Sequence, residues 1–151
     1  MLLAVDPGAG RTKTIGVAIF SMPNGSLQEL EQFTFEEFDA FLLSDKVNEC
    51  SVVVYETYQI RRSHAKAHVG SKVEVVQSVG LLRAFANRNS IEIHEQPSRI
   101  LPLAAQWFQI EWPMKDHSKS HSVSAMLHGM HWLKKNGYIK TVLEQKSENS
   151  M

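Results

Sequence analysis

The stretch SVVVYE at residues 51–56 is an almost unbroken run of apolar, mainly β-branched residues that ends in a carboxylate. Such runs are typical of central strands that are buried on both faces, as in parallel sheets. The chain opens in a similar way, because the apolar run at residues 1–5 ends at Asp6, which a proline and a glycine follow. We therefore predict two strands with Asp6 and Glu56 at their tips.

The remaining apolar patterns predict further strands and helices of one α/β domain. Strands are predicted at 14–20 (TIGVAIF), at 28–35 after the turn signal Asn24-Gly25, and at 91–94. Helical spacing of apolar residues predicts helices at 36–43, at 73–87, at 101–108 with Ser98 as a possible cap, and at about 118–136. A leading hairpin followed by alternating units implies a mixed sheet with helices packed on it. We expect one domain over residues 1–138 and a flexible polar tail over 139–151.

Composition excludes several classes of protein. With 151 residues, 43% hydrophobic and 21% charged, the chain suits one soluble globular domain. It has neither a signal-peptide pattern nor an apolar run of the roughly 20 residues that span a bilayer, so no membrane partner is expected. Cys50 is the single cysteine, so no internal disulfide can form and a cytoplasmic location is expected. Because the net charge is zero, a nucleic-acid binder of this composition must concentrate positive charge in patches.

Asp6 and Glu56 are the first candidate functional residues. If their strands are neighbours, the two carboxylates meet at one edge of the sheet and repel each other unless a cation neutralises them. Mg²⁺ and similar hard cations prefer such oxygen ligands. The alternative is that each carboxylate only ends a strand in solvent.

The last predicted helix carries a polar stripe beside its apolar face. At 100° per residue the stripe consists of His121, Ser124, His128 and His131. Histidines on a helix are commonly surface or satisfied core residues, but three on one stripe beside a suspected carboxylate site leave a structural and a functional role equally open. Only His121 and Ser124 lie near the beginning of this helix.

Four segments together resemble a known family. They are AVDPG at the first strand, TIGVAIF, VVVYE, and HSVSAMLHGMHWL at the last helix. In this order they are similar to the RuvC-like Holliday junction resolvases of the ribonuclease H-like superfamily, particularly the phage-encoded members. The resemblance covers residues 1 to roughly 135 and implies a ribonuclease H-like mixed five-stranded sheet flanked by helices. For a phage-encoded member, it also implies the cytoplasm of a bacterial host.

The resemblance assigns site residues one by one. Asp6 and Glu56 match the family's first two acids, and His121 matches the third ligand. Ser124 stands where the family usually has a fourth acid, so a full negative charge is missing. Asp116, upstream, could supply that carboxylate; Ser124 could hold a metal-bound water; or the protein could bind junctions without cutting them. We favour retained activity, with Asp6, Glu56, His121 and Ser124 as catalytic residues.

The activity that the resemblance implies is two-metal hydrolysis of a phosphodiester in branched DNA, with Mg²⁺ or Mn²⁺ as cofactor. Asp6 would bridge the two cations, while Glu56 would hold one cation and His121 the other. One of the two sites would be weak without a fourth acid. Because imidazole is a softer ligand than carboxylate, we expect Mn²⁺ to support activity better than Mg²⁺.

DNA affinity in such a protein comes mainly from phosphate contacts. The candidate phosphate-binding residues are Arg61, Arg62, Lys66 and Lys72, with His64 and His68 among them, and Lys115 and Lys119 before the last helix. The first group could equally be a solvated loop. Tyr58 could stack on a base at the branch point or pack in the core.

A four-way junction has two-fold symmetry, so symmetrical cutting implies a homodimer. The candidate interface residues are Val76, Val79 and Leu82, which fit core packing equally well.

Other functions fit parts of the sequence. An actin-like or sugar-kinase-like ATPase also has an acid and a glycine-rich turn at its first strands, but it closes two domains around ATP and this chain has room for one. A junction-binding protein that does not cut is favoured by the missing fourth acid. A nuclease of the same fold acting on flaps or RNA–DNA hybrids differs only in substrate.

Overall fold

The computed structural model of the protein describes residues 1–8, 13–57 and 69–150. The strands are β1 (Leu2–Asp6), β2 (Ile15–Phe20), β3 (Leu27–Phe33), β4 (Val52–Glu56) and β5 (Glu92–Gln96). The helices are α1 (Phe35–Leu42), α2 (Val69–Arg88), α3 (Leu101–Phe108), α4 (Ser120–Lys135) and α5 (Val142–Asn149). None of the helices in these ranges is both long enough and apolar enough to cross a membrane.

The strands form one mixed sheet in the order β3-β2-β1-β4-β5. β1, β2 and β3 pair antiparallel, whereas β4 runs parallel to both β1 and β5. This confirms the predicted mixed five-stranded sheet with a leading hairpin. β1 and β4 are neighbours whose last paired residues are Val5 and Tyr55. Asp6 and Glu56 therefore follow side by side at the two adjacent tips.

The alternation of side chains along the strands builds a core on each face of the sheet. Leu3, Val5 and Val53 pack with α1 and α2 on one face. Leu2, Ala4, Val52 and Val54 pack with α4 on the other face. Asp6 and Glu56 share the parity of this second set, so both carboxylates project towards α4.

Two glycines allow α4 to lie directly on the sheet. A Cβ atom at Gly16, the β2 partner of Asp6, would collide with the backbone carbonyl of His121. A Cβ atom at Gly129 would collide with the ring of Phe20. The first turn of α4 is thereby held next to Asp6.

Several element predictions need adjustment. α2 begins at Val69, four residues before the predicted start, and Ser98 begins a short 3₁₀ turn instead of capping α3 with its side chain. Pro102 lies in the first turn of α3, where the missing N–H costs nothing. Of the three candidate interface residues on α2, Leu82 is fully buried and Val79 packs against the core, whereas Val76 is exposed. Leu82 and Val79 therefore belong to the core of the domain.

The sequence analysis missed α5, which lies in the segment predicted to be a flexible tail. Thr141 and Glu144 form a capping box at its beginning, and Lys134 of α4 lies 3.3 Å from the Glu144 carboxylate. None of its residues is buried. The beginning of α5 is therefore marked by its capping box and not by a hydrophobic pattern. The flexibility of residues 139–151 remains a prediction.

Candidate active site

A row of residues, one from each strand, crosses the sheet on the α4 face. We call it the polar row, and it consists of Gln32, Gly16, Asp6, Glu56 and Gln96. The pairing registers place Gln32 opposite Gly16, Gly16 opposite Asp6, and Glu56 opposite Gln96. α4 lies across this row, so the histidines of its polar stripe contact successive strand tips: His121 contacts Asp6, His128 contacts Glu56, and His131 contacts Gln96.

Asp6 and His121 form the first contact between the row and the helix, which we call the accessible pair. Asp6 Oδ2 lies 3.3 Å from His121 Nδ1. The Asp6 side chain is 12% exposed, whereas that of His121 is 36% exposed. The pair is thus open to solvent on the histidine side.

Electrostatics in the accessible pair favour binding of a cation. The pKa of Asp6 is raised to about 6, mainly by burial; the hydrogen bond with His121 opposes this shift, and the negative charge of Glu56 contributes to it. The pKa of His121 is raised above its ordinary value, first by its hydrogen bond to Asp6 and then by the two carboxylate charges. A buried carboxylate with a second carboxylate beside it is incompletely neutralised by one histidine.

Glu56 and His128 form the second contact, which we call the buried pair. Glu56 Oε1 lies 3.2 Å from His128 Nε2, and the His128 side chain is fully buried. The sequence analysis placed His128 on the polar stripe but not among the site residues. Its position seven residues after His121, two turns along the same helix face, was the signal that could have identified it.

Gln96 connects the buried pair to His131, which lies one turn further along α4. Its Nε2 lies 3.2 Å from His128 Nδ1 and 3.0 Å from the His128 carbonyl oxygen. Its Oε1 lies 3.0 Å from His131 Nδ1, and the His131 ring stacks on Trp107 with centroids 5.2 Å apart. Sequence reasoning missed Gln96 because the strand was predicted to end at residue 94, whereas β5 extends to Gln96. Gln96 ends a strand as Asp6 and Glu56 do, and this position was the available signal.

Ser124 lies between the two histidine contacts on α4. It is 2% exposed, and its Oγ has no hydrogen-bond partner among the described residues. A buried hydroxyl without a partner is unfavourable in itself. The position expected to hold a fourth acid is therefore an unsatisfied polar group beside the candidate site.

Gln32 fastens the beginning of α4 to the edge of the sheet. Its Oε1 accepts a hydrogen bond of 2.9 Å from the backbone N–H of Ser122, and its Nε2 donates one of 2.6 Å to the Ser118 carbonyl. α4 has no side-chain cap of its own. Gln32 satisfies one of the free backbone donors in the first turn and so holds His121 in place.

Of the other predicted site residues, the structure describes the side chains of Asp116, Lys115 and Lys119. Asp116 is exposed and accepts hydrogen bonds from the backbone N–H and the hydroxyl of Ser118. These bonds lower the pKa of Asp116, and neither Asp6 nor Glu56 is among its partners. Lys115 and Lys119 are exposed, Lys119 directly before α4. Tyr58, Arg61, Arg62 and Lys66 lie outside the described residues, and of Lys72 only the place on α2 is described.

The donor types of the cluster fit a hard divalent cation, although the side chains as placed do not form a metal centre. Within residues 1–8, 13–57 and 69–150, no three His, Cys, Asp or Glu side chains are arranged to hold an ion together. Each carboxylate is paired with an imidazole instead. The repulsion between Asp6 and Glu56 and the unpartnered Ser124 hydroxyl are both features that a bound cation and its waters would relieve.

Comparisons with known proteins give structural matches only. No protein-family model matches the chain, and no curated protein matches it in sequence. Among solved structures, RuvC of Thermus thermophilus in complex with a Holliday junction substrate is similar at a TM-score of 0.57 and 13% identity, over 93% of this chain and 98% of that chain. A second Thermus thermophilus RuvC structure matches with a TM-score of 0.53 and 13% identity, over 93% and 99% of the two chains.

A viral protein has the same fold. The fowlpox virus Holliday junction resolvase matches with a TM-score of 0.51 and 11% identity, over 89% of this chain and 98% of that chain. Because these matches extend over nearly whole chains at very low identity, they establish the architecture of the molecule. The protein has the ribonuclease H-like fold of the RuvC-type resolvases.

Proposed function

We propose that the protein is a divalent-metal-dependent, structure-selective endonuclease that cuts branched DNA, with the Holliday junction as its principal substrate. The observation that carries this proposal is the convergence of Asp6, Glu56 and His121 at two adjacent strand tips and the first turn of α4. The fold shared with junction resolvases supports the choice of substrate.

In this proposal, Asp6 would contribute to the binding of two cations, while Glu56 would help to hold one of them and His121 the other. The ions, Mg²⁺ or Mn²⁺, would supply the charge that activates the attacking water and stabilises the leaving 3′ oxygen. The Asp6–His121 contact of 3.3 Å must then open, because it now occupies Oδ2 of Asp6, whereas the Glu56–His128 contact of 3.2 Å occupies only Oε1 of Glu56 and leaves the other oxygen for a cation. His121 is the more accessible of the two imidazoles, so the accessible pair is where this opening is easiest.

Contacts with DNA are assigned to the end of the sheet that carries the polar row. Lys115 and Lys119 are exposed just before α4 and lie near His121 in the chain, which suits phosphate contacts beside the cleaved bond. Arg61, Arg62, Lys66, Lys72 and Tyr58 are proposed to extend this surface. A homodimer would present two such sites to a two-fold symmetric junction.

A second function is favoured by Ser124. Without a fourth acid, and with both carboxylates paired to histidines, the protein could bind junctions without cutting them. Asp116 does not offset this loss, since it is engaged by Ser118.

The decisive experiment incubates purified protein with a four-way junction, a flap and an RNA–DNA hybrid in Mg²⁺, in Mn²⁺ and in EDTA. We expect cutting of the junction that requires metal, is faster in Mn²⁺, and disappears in Asp6→Asn. Tight junction binding without cutting in either metal would establish the second function. Cutting that persists in Asp6→Asn or in EDTA would refute the metal-site assignment, and preferential cutting of flaps or hybrids would change the substrate alone.

A further inference from the structure

Behind Glu56, the side chains of His128, Gln96 and His131 form a continuous hydrogen-bonded chain. The orientation of the Gln96 amide is fixed by the backbone. Its Nε2 lies 3.0 Å from the carbonyl oxygen of His128, which can only accept a hydrogen bond. The atom at this position must therefore be the amide NH₂, and the other amide atom must be the oxygen.

The amide orientation determines the tautomer of His128. The same NH₂ group donates to His128 Nδ1 at 3.2 Å, so Nδ1 carries a lone pair. The proton of the neutral ring is then on Nε2, where it is donated to Glu56 Oε1 at 3.2 Å. A doubly protonated ring would place an N–H directly against the amide NH₂.

His131 is the last member of the chain, at the end away from Glu56. Its Nδ1–H donates to Gln96 Oε1 at 3.0 Å, and its ring stacks on Trp107 at an interplanar angle of 6°. Lys134 lies over the Trp107 ring, with its Nζ 5.9 Å from the ring centroid. Burial, and then the positive charge of Lys135, lower the pKa of His131, which agrees with a neutral ring. Every donor along the chain therefore points towards Glu56.

We propose that His128, oriented by Gln96 and His131, is a positioning residue that fixes the direction of the Glu56 carboxylate for metal binding. This inference rests on the proposed function. His128 is not itself a metal ligand, because both ring nitrogens are engaged and the side chain is fully buried. It holds one oxygen of Glu56 so that the other remains directed at the open side of the cluster. Hydrogen-bonded partners of this kind typically contribute about 10–100-fold to metal affinity.

The test compares variants of the full-length protein without DNA, with Mn²⁺ affinity measured by calorimetry or electron paramagnetic resonance. His128→Leu removes the donor, whereas His128→Gln places an amide NH₂ close to the former Nε2 position. Gln96→Met removes the group that sets the tautomer but keeps the chain length. Leu133→Ala, which truncates a fully buried residue of the same helix far from Glu56, is the control for lost packing.

We expect Mn²⁺ affinity to fall about 10–100-fold in His128→Leu and to be largely restored in His128→Gln, with Leu133→Ala unchanged. In the metal-free protein, nitrogen-15 NMR of the imidazoles should show a protonated Nε2 on His128, and this preference should be lost in Gln96→Met. Equal affinity in His128→Leu and the unsubstituted protein would overturn the positioning role while leaving the nuclease proposal intact. Absence of any Mn²⁺ binding by the unsubstituted protein would overturn both. A proton on Nδ1 of His128 would overturn the orientation argument whatever the cleavage assays show.

Discussion

The accessible pair and the buried pair have the same chemistry and opposite surroundings. Each consists of a carboxylate at a strand tip and a histidine of α4, at 3.3 Å and 3.2 Å. His121 is 36% exposed and has Asp6 as its side-chain partner, whereas His128 is fully buried and is held on its other nitrogen by Gln96. A contact at the surface can be exchanged for a ligand, while one embedded in a hydrogen-bonded chain is a fixed support. The difference therefore separates a residue suited to bind from a residue suited to position.

The largest expected effect is on cleavage by a variant of the accessible pair. Asp6→Asn keeps the shape of the side chain but removes the bridging charge, so we expect junction cleavage to fall on the order of a thousandfold. Single-turnover cleavage at saturating Mn²⁺ measures this. Junction binding by Asp6→Asn should stay within a few-fold of the unsubstituted protein. Retention of more than a tenth of the activity would contradict the central role of Asp6.

The free energy of unfolding should change in opposite directions when a residue of the accessible pair and a residue of the buried pair are replaced. Burial raises the pKa of Asp6 in the folded protein to about 6, above its ordinary value of 3.8, so the charged carboxylate destabilises the fold as pH rises from 4 through 6. Asp6→Asn should therefore increase the free energy of unfolding of the metal-free protein at pH 7.5 by about 1–3 kcal/mol. His128→Ala leaves a cavity and unpaired partners and should decrease it by about 2–5 kcal/mol. Urea unfolding with added EDTA measures both values. A change of the same sign in both variants would contradict the distinction between the accessible pair and the buried pair.

The pH dependence of metal binding follows from the same carboxyl group. Below its pKa of about 6, Asp6 must release a proton before it can bind a cation. We expect Mn²⁺ affinity to increase steeply with pH up to about 6, and then less steeply until His121, whose pKa is also raised, has lost its proton. Titrations between pH 5 and pH 8 test this, and in Asp6→Asn the steep part of the profile should disappear together with most of the affinity. A profile that is flat from pH 5 upward would show that Asp6 is not the titrating ligand.

The smallest effect is expected at Ser124. Its buried hydroxyl has no partner among the described residues, so Ser124→Ala should change the free energy of unfolding by no more than about 1 kcal/mol, towards greater stability. If the hydroxyl holds a water for one cation, cleavage should still fall by roughly tenfold, since one hydrogen bond is worth about 1 kcal/mol or somewhat more. Thermal unfolding and cleavage of the same preparation separate the two effects. Unchanged cleavage would show that Ser124 has no part in the site.

Much of the architecture could be predicted from local patterns. The strands that carry Asp6 and Glu56 are apolar on both faces and end at a carboxylate, so their burial and their tips follow from composition alone. The mixed sheet follows from a hairpin signal at the start and alternating units afterwards. α5 was missed because it has no apolar face, although its capping box was visible as Thr141 and Glu144.

The candidate site was only partly predictable, because its supporting residues depend on register across the sheet. Gln32 and Gln96 are ordinary polar residues in the sequence, and only the pairing of β3 and β5 brings them into the polar row. The burial of His128 depends in the same way on how α4 lies on the sheet, which Gly16 and Gly129 permit. Asp116 lies a few residues before His121 in sequence but is turned to Ser118 in the fold. Distance along the sequence alone could not show that His128 contacts Glu56 while Asp116 does not.

The most direct test of the account is a crystal structure of the protein grown with Mn²⁺, with anomalous diffraction data to locate the ions. The account predicts at least one ion about 2.0–2.3 Å from carboxylate oxygens of both Asp6 and Glu56, with the His121 ring turned from its present contact with Asp6 and the His128 contact with Glu56 retained. An ion bound elsewhere, or no ion at a Mn²⁺ concentration that supports cleavage, would contradict it.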